Sequence, residues 1–142
     1  MSNINFFTAD KGYLLKEKTK IKKWINAEAS IYSKNIEELN IVFCSDDYLL
    51  DLNKKYLNHF DLTDVITFDN SNTENVINGE IYISVDRVIE NAKIFKTSAH
   101  QEFLRIIIHG SLHLFGFTDK TQDNRAVMTE KENESLFRLN NL

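Results

Sequence analysis

The chain has 142 residues, of which 42% are hydrophobic, 11% aromatic and 27% charged, with a formal net charge of −4 at pH 7. That length suits one domain over residues 1–142 burying roughly 68–70% of its unfolded surface, and the composition excludes a disordered or fibrous chain. The negative balance argues against a protein that coats nucleic acid through overall positive charge, and no DNA partner is expected. No apolar run approaches the roughly 18 residues of a membrane span, and the opening lacks the basic start and apolar stretch of a signal peptide.

The elements follow in chain order. "NINFF" reads as a first strand, and "GYLLKEKTKIKKWINAEASIYSK" as an amphipathic helix with Leu14, Ile21, Trp24, Ile25 and Ile31 near helical spacing. Its lysines are concentrated: six lysines against Glu17 give +5 between residues 11 and 23, which leaves −9 for the remainder. On a helix Lys16, Lys20 and Lys23 share one face, as phosphate contacts require and as a solvated face also shows. "EELNIVFCS" is a strand rich in β-branched and aromatic residues, and "DDYLLDLNKKYL" returns to helical spacing through Leu49, Leu52 and Tyr56. "TDVITFD" and "GEIYISVD" read as two further strands joined by a nine-residue polar loop. From Asp86 the chain is helical: "DRVIENAKIF", a break at which Ser98 caps "AHQEFLRIIIHGSLHLFG", and a last helix over about residues 122–139.

Strand pairs and helix pairs are consecutive, which favours an α+β fold with a small mixed four-stranded sheet and four to five helices. The lone Cys44 cannot form an intramolecular disulfide, which suits a reducing cytoplasm, and after "IVF" it reads as a small core hydrophobe.

Chemistry concentrates in "HGSLHLFGFTD", residues 109–119. A step of four residues rotates a helix by about 400°, so His109 and His113 point in nearly the same direction about 6 Å apart along the axis. Their neighbours are apolar nearly all round, as for a helix inside the fold. Gly116 suits a left-handed residue that ends the helix, and the turn can bring Asp119 back over the histidines. Three protein ligands with a fourth position left for water is the pattern of a catalytic zinc site. His100 falls in a helix's first turn and reads as solvated, and His59 lies in a polar loop.

In the zinc-peptidase pattern H-E-x-x-H a glutamate follows the first histidine as general base, and here that residue is Gly110. What remains is metal-bound water as nucleophile, with no protein side chain identified as the base. A phosphodiester, with charge developing on its non-bridging oxygens, suits that division.

These residues resemble the YbeY family of single-strand-specific metallo-endoribonucleases, whose signature is H-G-x-L-H-L-x-G-[YF]-D-H. "LNKKYLNHFDLTDVITF" resembles a second family block and "GEIYIS" a third, so the resemblance runs in order from residue 52 to 119. It implies an α+β fold, one Zn2+ per chain at the end of a buried helix, and a cytoplasmic role on ribosomal RNA or the small ribosomal subunit, in 3′-end maturation and quality control. This chain departs from the signature at Thr118 and Asp119, where the family has aspartate and its third histidine. Leu57 falls where the family has an arginine that meets substrate. His59, at a nearby lysine position, and Lys20 and Lys23 are the expected substrate contacts. Within this reading the nucleophile is metal-activated water, or the ribose hydroxyl where the metal serves mainly as an electrophile; beside it stand two alternatives, a non-catalytic, metal-stabilised RNA-binding assembly factor and a metallopeptidase.

Overall fold

The computed structural model describes residues 3–59 and 61–142. Its elements are β1 (Ile4–Thr8), α1 (Lys18–Ile31), β2 (Asn35–Cys44), α2 (Asp46–Leu57), β3 (Val65–Asp69), β4 (Val76–Ser84), α3 (Val85–Ile94), α4 (Ala99–Leu114) and α5 (Gln122–Asn140). The strands form one mixed sheet in the order β1-β2-β4-β3. β1 and β4 run parallel to β2, and β3 runs antiparallel to β4 with Val65 opposite Ile83. The α+β class and the mixed four-stranded sheet agree with the expectation from sequence.

Alternation along the strands assigns the two faces of the sheet. Ile77, Ile81 and Ile83 of β4 join the main core, together with Trp24 and Ile25 of α1 and Phe103, Ile107 and Ile108 of α4. On the opposite face Tyr82 and Phe68 pack with Cys44, Leu49, Leu52 and Ile66, so α2 covers that side. Helix α4 is the centre of the larger layer and touches β3, β4, α3 and α5. Its residues are buried on almost every side, which is why the segment is apolar all round rather than striped.

Gly110 is where α4 meets the sheet. A Cβ there would lie 2.9 Å from Ile81 Cγ2 and 3.3 Å from Thr67 Cγ2, so the bare backbone allows the helix to approach β3 and β4. One helix turn therefore sets its apolar side on the strands while His109 and His113 reach a cleft beside them.

Two boundaries and the burial of one histidine differ from what the sequence suggests. The first helix starts only at Lys18, because Glu17 takes a left-handed conformation at φ 58° and offers no side-chain cap. Lys16 therefore precedes α1 and does not share its face. The loop between β3 and β4 is shorter than nine residues: Thr73 bridges Val76, Asn70 N–H donates to the Asn78 carbonyl at 2.8 Å, and buried Ile77 already belongs to β4. His100 is half-buried rather than solvated, and its Nδ1 is shielded with no hydrogen-bond partner among the described residues. The Ser98 cap forms as expected, with its hydroxyl accepting from Gln101 N–H at 3.1 Å.

Candidate metal centre

Helix α4 ends in a Schellman turn. Phe115 caps it, Gly116 N–H donates to the His113 carbonyl at 3.1 Å and Phe117 N–H to the Leu112 carbonyl at 3.0 Å. Gly116 sits at φ +113°, where a side chain would be strained. The reversal places the Phe117 carbonyl 3.1 Å from His113 Nδ1. A carbonyl only accepts, so Nδ1 carries the proton and Nε2 presents its lone pair to the cleft. Beyond the turn, Thr118 accepts from the Asn124 side-chain amide at 2.9 Å, and Thr121 caps α5 by accepting from Asn124 N–H at 3.0 Å. The loop that carries Asp119 is thus tied to the start of α5.

His109 is oriented by a different device. Its Nδ1 lies 2.6 Å from Glu132 Oε2 on α5, and Arg105 Nη1 donates to the other Glu132 oxygen at 2.9 Å. The carboxylate takes the Nδ1 proton in a hydrogen bond, which aims Nε2 outward.

The three predicted residues converge. His109 Nε2 and His113 Nε2 are 3.2 Å apart, and Asp119 Oδ2 is 3.4 Å from each. A tetrahedral zinc with bonds of about 2.0–2.1 Å needs donor atoms about 3.3–3.4 Å apart, so this triangle fits one face of such a shell. Two nitrogen lone pairs this close repel unless a cation or a proton lies between them. Among the described residues no other three His, Cys, Asp or Glu side chains come together in this way.

The field around the triangle is negative. Burial opposes protonation of His109, but its hydrogen bond to Glu132 and the charges of Glu132, Asp119 and Asp64 outweigh that, and its pKa is raised. The same charges favour a divalent cation when the rings are neutral.

The ligand atoms open onto a cleft of about 410 Å³ whose walls include Asn53, Leu57, His59, Asp61, Leu62 and Asp64. Asn58 ends α2 in a left-handed conformation, His59 N–H donates to the Asn53 carbonyl at 3.1 Å, and the Asn53 amide holds the Asp61 carbonyl at 3.0 Å. These bonds place His59 on the cleft wall. Leu57, half-exposed, lines it too. Lys20 and Lys23 do not line this cleft; they border a separate depression with Thr19, Ala27 and Leu142. Lys20 also pairs with Glu17 at 3.8 Å.

Two residues of the site escaped the reading of spacing. Glu132 is 23 positions from the histidine that it orients, and nothing local in α5 marks it. Asp64 stands at the entrance to β3, its carbonyl accepting from Ser84 N–H at 2.9 Å, and looks in sequence like a turn residue. Burial raises its pKa, against the opposing charge of His109.

The chain is similar to known proteins along nearly its whole length. The family model described as Endoribonuclease YbeY matches residues 7–140. The endoribonuclease YbeY of Cytophaga hutchinsonii is 44% identical over 133 residues, covering 94% of this chain and 93% of its own. That of Flavobacterium psychrophilum is 42% identical over 130 residues, 92% of each chain. The solution structure of the Thermotoga maritima protein TM1509 superposes with a TM-score of 0.66 at 26% identity, covering 96% of this chain and 88% of that one.

Proposed function

The chain belongs to the endoribonuclease YbeY family, and we propose that it is a zinc-dependent endoribonuclease that cuts single-stranded RNA in the cytoplasm, in 3′-end maturation of ribosomal RNA and ribosome quality control. The observation that carries the metal half of this reading is the triangle of His109 Nε2, His113 Nε2 and Asp119 Oδ2, with edges of 3.2, 3.4 and 3.4 Å.

His109, His113 and Asp119 would hold the ion. When bound, it supplies an electrophile that neutralises charge growing on the phosphate and makes a water more acidic. One carboxylate among the ligands leaves a zinc site formally +1, less acidifying than a site of neutral ligands. Glu132 and the Phe117 carbonyl keep both rings in the tautomer that ligation needs.

The rest of the cleft handles the strand. Leu57 and Leu62 give it an apolar rim on which a base can pack, and His59, when protonated, can donate to a phosphate oxygen. A 410 Å³ cleft accepts a segment the size of a small ligand, which suits a strand with unpaired bases. Lys20 and Lys23 would meet only RNA that extends beyond the cleft to the separate depression that they border.

The metallopeptidase alternative requires a glutamate at position 110, and the space there is taken by Ile81 and Thr67. The non-catalytic alternative is separated by assay. Incubation of a single-stranded oligoribonucleotide with the metal-loaded chain should yield discrete fragments. Chelation should abolish cleavage, with circular dichroism followed alongside so that unfolding is not mistaken for lost chemistry. RNA that stays intact while still bound would overturn the enzymatic reading.

A further inference from the structure

Neither ligand histidine is free to act as a base, since each uses Nδ1 in a structural hydrogen bond and turns Nε2 to the triangle. Gly110 contributes no side chain. Besides the ligand Asp119, the carboxylates on the cleft wall are Asp61 and Asp64. Asp61 is exposed, and its carbonyl is what Asn53 holds. Asp64 is half-buried and fixed at both ends of the residue: its carbonyl accepts from Ser84 N–H, and Oδ2 accepts from the Asn91 amide of α3 at 3.3 Å. The backbone N–H groups of Asp64 and Val65 also act on this carboxylate; with about four lone-pair sites on its two oxygens, it keeps acceptor capacity for a molecule in the cleft beside the metal triangle while standing outside its ligand set.

Resting on the endoribonuclease reading, we propose that Asp64 is the catalytic residue that accepts the proton of the attacking nucleophile. The O–H bond of a water in the cleft breaks, its proton passes to the Asp64 carboxylate, and its oxygen electron pair forms a bond to phosphorus. The bond from phosphorus to the departing ribose oxygen breaks, that oxygen takes a proton from bulk water, and Asp64 returns its proton to solvent. The charged groups that act on Asp64 are His109 and Glu102 of α4 and Glu132 of α5, with His113 and Asp119 sharing its cleft and His59 and Asp61 on its own loop. Burial, with a smaller push from Glu132, raises its pKa above that of an ordinary aspartate against the opposing charge of His109, which favours its acting as a proton acceptor.

The test uses the full metal-loaded chain and a single-stranded oligoribonucleotide, comparing wild type with Asp64→Asn and Asp64→Glu. Single-turnover cleavage at rising protein concentration separates the maximal rate from the half-saturating concentration, and competition with a chromogenic chelator gives metal affinity. For Asp64→Asn the maximal rate should fall at least about 100-fold, with half-saturation and metal affinity within about 3-fold of wild type. Its residual rate should climb about tenfold per pH unit as hydroxide replaces the lost base, and Asp64→Glu should recover part of the rate with a shallower slope. A smaller loss, or one that follows metal release or weaker RNA binding, overturns the assignment. Should Asp64→Asn fail to fold in urea titration, Asn91→Ala serves: a lower maximal rate at unchanged half-saturation supports the role, and an unaltered rate overturns it. A wild-type chain that cuts no RNA sinks the endoribonuclease reading together with this one, whereas an Asp64→Asn variant as fast as a cutting wild type sinks this one alone.

Discussion

His109 Nδ1 and Glu132 Oε2 lie 2.6 Å apart across the interface of α4 and α5, so the helix that follows the metal loop orients a ligand carried by the helix before it. Glu132 is itself held by Arg105 and is almost fully buried. Glu132→Gln keeps the shape but removes the charge that makes the imidazole a stronger donor. Metal affinity, measured by competition with a chromogenic chelator, should fall about 10- to 100-fold while the fold persists.

Gly116 occupies φ +113°, a conformation that L side chains rarely adopt. An added Cβ would meet nothing within 4 Å, so Gly116→Ala isolates backbone strain from packing. Urea unfolding of the metal-free protein should show a loss of about 1–3 kcal/mol. Metal affinity should fall as well, because the same turn sets Asp119 over the rings.

Glu28 of α1 is buried and accepts from Arg138 Nε at 2.7 Å and Nη2 at 2.6 Å, which ties α1 to the end of α5. Arg138→Ala leaves that buried carboxylate without its cation, with the Ser135 hydroxyl still donating to it, and should destabilise the protein by about 3 kcal/mol. The double variant with Glu28→Gln should recover much of the loss, as read from urea midpoints.

Acid should weaken the junction of the β1–α1 loop with α2 and α3. The Ser45 side chain and backbone hold the Asp10 pKa below its usual 3.8, and Lys11 with the Asp46 backbone does the same for Asp86. Groups with a lowered folded pKa stabilise fully above the unfolded value and lose that contribution as pH falls through the folded one. Stability should therefore drop below about pH 4, and a variant carrying Asp10→Asn and Asp86→Asn should show a shallower drop in guanidinium titrations from pH 5 to 2. An unchanged slope would remove these two carboxylates from the account.

Cys44 illustrates a residue whose role was visible in sequence. It is fully buried beside Ile66 and Leu49, and burial pushes its thiol up to about 12. A thiol reagent at pH 8 should label it only as fast as the protein unfolds, and prompt stoichiometric labelling of the native chain would contradict that burial.

Legibility followed the range of the interactions. The pair His109 and His113 and the turn at Gly116 are local, within one helix and its cap, so spacing alone brought them together with Asp119. The sheet was readable because β2 and β4 carry period-2 and β-branched patterns strong enough to survive burial on both faces. Glu132, Asp64 and Asn91 were not readable as partners of the site, because helix α5, the start of β3 and helix α3 meet there only through tertiary packing. The start of α1 was misjudged for a local reason: Leu14 continues the helical apolar spacing, yet it is largely exposed at 84%, and the backbone at Glu17 breaks the run. The lysine cluster was a true feature of charge, and Lys20 and Lys23 border a depression separate from the metal cleft.

Two imidazoles and one carboxylate, as proposed, grip a single divalent cation with a corner open to solvent. Zinc X-ray absorption on the loaded protein tests this grip most directly. One zinc per chain is expected, with four nitrogen and oxygen neighbours at about 2.0–2.1 Å, two of them imidazole, and with loss of one light neighbour or of the ion itself in Asp119→Ala. A sulfur neighbour at about 2.3 Å, a single imidazole, or a spectrum unmoved by Asp119→Ala would contradict it.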